Sequence, residues 1–133
     1  MGSTILVVDD DAFVRMDLAE IVEESGFAAC EACSVAEALA LIDAAPERFA
    51  AVVTDIQMPG SRNGIVLANH VAYMWPHIRV IVISGGRVPL EGQLPFATPF
   101  IAKPYTAPTI SAAILGAVAD LSARRMPEGT QVS

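Results

Sequence analysis

The side chains of this chain that could do chemistry stand just beyond apolar runs. Asp9-Asp10-Asp11 follows Ile5-Leu6-Val7-Val8, and Asp55 follows Ala51-Val52-Val53-Thr54. Ser84 follows Val80-Ile81-Val82-Ile83, and Lys103-Pro104 follows Phe100-Ile101-Ala102. Each polar group sits where a buried strand would end, and in an open parallel sheet such ends meet at one crevice. Carboxylates, a hydroxyl and an ammonium gathered there are equipment for a divalent cation and a phosphoryl group. Adjacent carboxylates raise each other's pKa, a penalty that a hard dication removes. Mg2+ takes about six oxygens and keeps some of them as water. Asp10, Asp55 and one backbone carbonyl could supply protein ligands, with Asp9 holding a coordinated water. Protonated Lys103 is no ligand, but it is a point-charge partner for phosphate. Ser84 could donate to another phosphoryl oxygen. Asp55 is then a ligand and also a candidate nucleophile, because carboxylates form acyl phosphates when cations neutralise the developing charge.

The elements that must position these groups alternate along the chain. Residues 4–9 read as a buried strand, and residues 12–25 as a helix with Val14, Leu18, Ile21 and Val22 on one face. Gly26 is placed to end that helix. Residues 28–33 read as a second strand; Ser34-Val35-Ala36-Glu37 fits a capping box for a helix running to about Ala44, with Pro46 beyond it. Residues 51–55 make a third strand, residues 64–75 a helix, and residues 78–83 and 99–102 the last strands. Thr106 caps a final helix whose Ile110, Ile114, Val118 and Leu121 face inward. Near-continuous apolar strands joined by helical crossovers imply a parallel sheet covered on both faces. The expectation is a flavodoxin-like α/β fold, strand order 2-1-3-4-5, with Asp9, Asp10 and Asp55 at the switch point. Between Ser84 and Phe100 the prolines and glycines leave room for one turn, around residues 89–94. A fourth helix is therefore short or absent there.

With 133 residues and 53% hydrophobic content, the chain suits one ordered domain. Residues 1–122 are expected to form it, with residues 123–133 as a disordered tail. A net charge of −7 argues against nucleic-acid binding. No apolar stretch is long enough for a membrane span and no signal-peptide pattern opens the chain, so the cytoplasm is the expected location. Cys30 and Cys33 have C-x-x-C spacing, but three residues apart on a strand they point to opposite faces, which suits structural thiols better than a metal or redox pair. His70 and His77 have no partner at metal-ligand spacing.

At this point the resemblance becomes specific. Ile5 to Asp11, Thr54-Asp55-Ile56-Gln57-Met58-Pro59-Gly60, Val82-Ile83-Ser84-Gly85 and Phe100 to Pro104 together resemble the receiver domain of two-component response regulators, from residue 4 to about 121. The resemblance implies that Asp55 accepts a phosphoryl group from a histidine kinase or phosphotransfer protein. It implies Mg2+ held by Asp10, Asp55 and the Gln57 carbonyl, with Asp9 acting through water. Ser84 would be the switch hydroxyl, Lys103 the phosphate-pairing cation, and Phe100 the aromatic that follows Ser84. A cis Lys103-Pro104 bond is also implied. The loop from Pro59 to Gly64 looks one residue longer than the common pattern, and no effector domain follows in this sequence. The implied function is a stand-alone, non-enzymatic receiver, monomeric or weakly dimeric, signalling through an unknown downstream protein.

Other readings stay open at this stage. Alone, the acidic triplet reads as a helix-capping turn, Ser84 as a turn residue and Lys103 as a surface lysine; their coincidence at successive strand ends favours a site. A phosphate sink or phosphorelay intermediate uses the same residues, and Gly86 leaves space for an attacking water. A haloacid-dehalogenase-like phosphatase also places Asp9 and Asp11 after a first strand. It needs a second acidic pair, yet no acid lies between Lys103 and Asp120. A constitutive binding module would have no use for the full set of side chains.

Overall fold

The alternation of apolar runs and amphipathic stretches resolves into a doubly wound sheet. The computed structural model describes residues 3–58, 63–86, 89–90, 92–95 and 97–124, with side chains of the last helix through Ala119. In chain order the elements are β1 (Thr4–Val8), α1 (Ala12–Glu24), β2 (Ala28–Ala32), α2 (Val35–Ala44), β3 (Phe49–Asp55), α3 (Gly64–Met74), β4 (Arg79–Ser84), β5 (Phe100–Ala102) and α4 (Ala107–Arg124). All pairings are parallel, in the order β2-β1-β3-β4-β5. Val8 registers with Thr54, so the acids that follow β1 and close β3 arrive at the same edge.

Each strand feeds both faces because successive side chains alternate. Leu6, Val8, Val52, Val80 and Val82 pack under α2 and α3 with Ile42, Leu67 and Val71. Ile5, Val7, Val53, Ile81 and Ile83 pack under α1 and α4 with Leu18, Ile21, Ile110 and Ile114. Burying each such side chain contributes about 1.5–3 kcal/mol. The expected inward face of α1 is present, with Leu18, Ile21 and Val22 buried and Val14 partly so. On α4, Ile110 and Ile114 are buried and Val118 is partly covered, while Leu121 lies beyond the described side chains.

The helix ends follow their local sequence. Asp11 caps α1, accepting the Phe13 and Val14 amides. At the other end Gly26 has φ +100°, its amide donates to the Glu23 carbonyl and that of Phe27 to Val22, the Schellman arrangement. Ser34 accepts the Glu37 amide, and Glu37 accepts the Cys33 amide, completing the capping box one residue early and holding the Glu37 carboxyl below its usual range. Thr106 accepts the Thr109 amide at the start of α4.

Two expectations needed adjusting. Pro46 does not merely follow α2; it opens a short 3₁₀ turn, Pro46–Arg48, and β3 then begins at Phe49 rather than residue 51. Phe49 is fully buried, so apolar contact extends the strand backward. Between β4 and β5 the described residues contain turns and bends only, so a regular fourth crossover helix is missing among them. Of the loop expected to be long, Pro59 to Gly64, residues 59–62 lie outside the described residues, as does the expected tail from residue 125 on; residues 123 and 124, placed in that tail, instead close α4. Among the described residues no helix is long and apolar enough to cross a membrane.

Candidate functional site

The strand ends bring Asp9, Asp55, Ser84 and Lys103 to the carboxyl edge of the sheet. Asp9, Asp55 and Ser84 are buried, whereas the Asp10 and Gln57 residues are exposed and Lys103 and Phe100 are partly covered. Asp55 closes β3. Its Oδ2 accepts a bond from Lys103 Nζ at 2.9 Å, and its Oδ1 accepts the Gln57 amide at 3.3 Å. The Thr54 hydroxyl donates to the Asp55 carbonyl at 2.9 Å. The Lys103 amide donates to the Ser84 carbonyl at 2.9 Å, so the lysine and the serine are fixed to one another through the β4–β5 ladder. The Lys103-Pro104 bond is cis. Phe100 packs against the core face beneath α2 and α3.

Asp9 carries the main electrostatic tension. Its Oδ1 accepts the Asp11 amide at 2.9 Å, while its buried Oδ2 has no hydrogen-bond partner. Burial pushes the Asp9 carboxyl up to about 6 and the Asp55 and Asp10 charges add to that, against the Asp11 amide and Lys103. An unpartnered buried carboxylate oxygen beside a second carboxylate is an environment that a cation relieves. Among the described residues no three acids, histidines or cysteines already form a metal cluster. The arrangement is therefore a partial acidic cradle, which suits an ion that keeps several waters better than one needing an all-protein cage.

A sequence profile for the response regulator receiver domain matches residues 5–115. The chain belongs to that family. It is 37% identical over 129 residues to the transcriptional regulatory protein FixJ of Azorhizobium caulinodans, covering 94% of this chain and 57% of FixJ. It is 34% identical over 110 residues to the chemotaxis protein CheY of Thermotoga maritima, covering 79% of this chain and 88% of CheY. A solved receiver domain protein from Clostridium thermocellum superposes with a TM-score of 0.78 at 25% identity, covering 92% of this chain and 98% of that one. Receiver domains are signalling domains rather than classical enzymes; they interact with histidine kinases or phosphotransfer proteins, and phosphorylation and Mg2+ are typical of them. This chain spans little more than half of FixJ, so the activity of that whole protein is not carried over.

Several residues that support the site were not singled out from sequence. A side chain at Gly64 would collide with the Asp55 carbonyl oxygen, and its Cβ would lie 2.8 Å from both Asp55 C and Ile56 Cα. The Gly64 amide donates to the Ile56 carbonyl, which seats the first turn of α3 directly on the end of β3. A glycine opening a helix was the available signal. Arg15 donates from Nη1 to the Asp9 carbonyl at 2.9 Å and from Nε to Glu31 Oε1 at 3.0 Å. Its one clue was a position one helical turn past Asp11. Tyr105 donates to Asp17 Oδ2 at 2.9 Å, linking the segment after Lys103 to α1. Burial first, and then the Asp17 carboxylate, push the Tyr105 phenol up. Cys30 is partly covered and Cys33 exposed, both as free thiols. His77 contacts the Pro46 carbonyl, and the His70 ring packs at a tilt against Trp75.

Proposed function

We propose that this protein is a phosphorylatable signalling switch in which Asp55 takes a phosphoryl group from the phosphohistidine of a histidine kinase or phosphotransfer protein. The observation that carries this reading is the 2.9 Å bond between Lys103 Nζ and Asp55 Oδ2, beside the buried, half-satisfied Asp9 carboxylate. In the transfer an Asp55 carboxylate oxygen attacks phosphorus, the P–N bond of the donor breaks, and the histidine leaves with the electron pair. Lys103 then exchanges its carboxylate partner for a phosphoryl oxygen, and the Ser84 hydroxyl donates to another. Asp10, Asp55 and the Gln57 carbonyl would hold Mg2+, with Asp9 acting through water. The ion, when bound, neutralises charge on the phosphoryl oxygens.

Donor access is served by the first turn of α1, where Phe13 and Met16 are 84% and 59% exposed beside the acidic turn. Residues 1–122 would act as the signalling unit in the cytoplasm, as a monomer or weak dimer. Output would pass through protein contacts, since a net charge of −7 is unsuited to a phosphate backbone. The state of Ser84 would be communicated to Phe100 and to the segment between them.

The test is incubation with acetyl phosphate and Mg2+, followed by intact-mass analysis. Wild type should gain one phosphoryl group and Asp55→Asn none. Labelling of the variant would show that another residue is the acceptor. A phosphate-sink role rests on the space beside Gly86, where the nearest atoms belong to the Gln57 side chain, its Nε2 lying 3.4 Å from where a Cβ would be. That role requires a short-lived phosphoform, and persistence for many hours would exclude it.

A further inference from the structure

We infer that Arg15 is a positioning residue for the cation-binding turn, acting as a brace whose angle is set by Glu31. This rests on the reading of Asp9, Asp10 and Asp55 as a Mg2+ site.

The turn from Asp9 to Asp11 must present two adjacent like charges in a fixed direction, although their repulsion favours splaying. Several bonds hold it besides those of the Arg15 guanidinium, among them the caps that Asp11 Oδ1 accepts from the Phe13 and Val14 amides. The Asp9 amide donates to the Ala32 carbonyl at 3.1 Å, the Asp11 amide to Asp9 Oδ1 at 2.9 Å, and the Arg15 amide to the Asp11 carbonyl at 2.9 Å. These fix the ends of the turn and the Asp9 and Asp11 carboxylates. The peptide between Asp9 and Asp10 is held by the guanidinium, which bonds the Asp9 carbonyl at 2.9 Å. That peptide sets the direction in which Asp10 leaves the strand. The same planar group reaches Glu31 on β2 through Nε at 3.0 Å, so one rigid fork ties α1, the turn and the neighbouring strand. A lysine offers no such paired geometry.

The Glu31 contact also resolves an electrostatic conflict. An unpaired arginine this close to the acids would oppose a dication. Glu31 offsets that charge while leaving the donor geometry intact, so Arg15 can shape the site without repelling its ion. Groups that orient metal-binding residues from behind are typically worth one to two orders of magnitude in metal affinity.

The experiment is Mg2+ titration by calorimetry of wild type, Arg15→Gln, Glu31→Gln, the double variant and Ser111→Ala, with amide hydrogen exchange of the metal-free proteins. Ser111→Ala is the control, because it cuts a bond of equal length between α4 and Ser25 at the far end of α1. Arg15→Gln should raise the Mg2+ dissociation constant about tenfold and speed exchange at the Asp11 amide. Glu31→Gln should give a smaller loss. The double variant should be no worse than Arg15→Gln, because Glu31 acts through the arginine. Ser111→Ala should bind as wild type does. Should Arg15→Gln fold poorly, the exposed Glu31→Gln variant carries the test alone. A constant within about twofold of wild type for Arg15→Gln, tighter binding, or additive losses in the double variant would overturn the brace while leaving the cation site standing. Failure of wild type itself to bind Mg2+ would overturn both.

Discussion

Two crossovers on the same side of the sheet solve the same problem differently. From β3 to β4 the chain returns through α3, an 11-residue helix whose Ile65, Leu67, Ala68 and Val71 are buried. From β4 to β5 it returns through residues 85–99, where the described portion is turns and bends and Ala97 adopts a positive φ of 64°. The first crossover is fixed by core contact along its length. The second is pinned at points: Asn69 Nδ2 donates to the Gln93 carbonyl at 2.7 Å, Leu94 packs on the core, and a cleft of about 270 Å³ opens between Ala72, Pro76, Pro95 and Thr98. Yet β5 still pairs with β4 in register, and Lys103 still reaches Asp55. The difference teaches that strand ends position the chemistry, whereas the crossovers decide how rigidly the surroundings respond to it.

Four measurements would break or sharpen that contrast. The largest effect is expected from Gly64→Ala, whose methyl has nowhere to go but the Asp55 backbone. It should cost about 3 kcal/mol in urea unfolding, and a neutral result would mean that α3 is not seated on the end of β3. Next comes pH. The native Asp9 carboxyl titrates at about 6 against an ordinary 3.8. Between those values the native state holds a proton that the unfolded chain has lost, so stability should fall as pH rises through that window. Denaturant midpoints in EDTA should show the decline in wild type and not in Asp9→Asn; equal slopes would place the buried charge elsewhere. Asn69→Ala should then cost about 1 kcal/mol and increase hydrogen exchange in residues 89–95 without loosening α3. Protection lost equally in both crossovers would erase the contrast. The smallest effect belongs to Gly86→Ala, whose nearest neighbours are at the movable end of Gln57. Its stability should stay within about 0.5 kcal/mol of wild type, and a loss matching Gly64→Ala would show the second crossover to be as tightly seated as the first.

The readable part of the molecule was the part governed by local pattern. Val7-Val8 before Asp9 and Val53-Thr54 before Asp55 announced buried strands with polar ends, and parallel pairing then brought those ends together. Ser34 and Glu37 marked a helix start because their hydrogen bonds span a few residues. The turns and bends among the described residues between β4 and β5 were likewise visible in Pro89, Gly92 and Pro95. What could not be read depends on how elements approach. Arg15 meets Glu31 only because α1 crosses the end of β2 at a particular angle. Gly64 matters only because α3 comes into contact with the Asp55 carbonyl. The start of β3 at Phe49 was missed because the 3₁₀ turn from Pro46 delivers that ring into the core, a tertiary event that turn propensity does not encode.

The seating of α3 also makes the protein its own optical instrument. The helix begins against Asp55 and ends at Trp75, the chain's single tryptophan, about 16 Å away along the axis. The indole is 9% exposed, and its ring centre lies 5.8 Å from that of His70. A tilt of this rod at the Asp55 end would alter indole quenching at the far end, so ultraviolet emission could report events at Asp55 in real time with no attached dye.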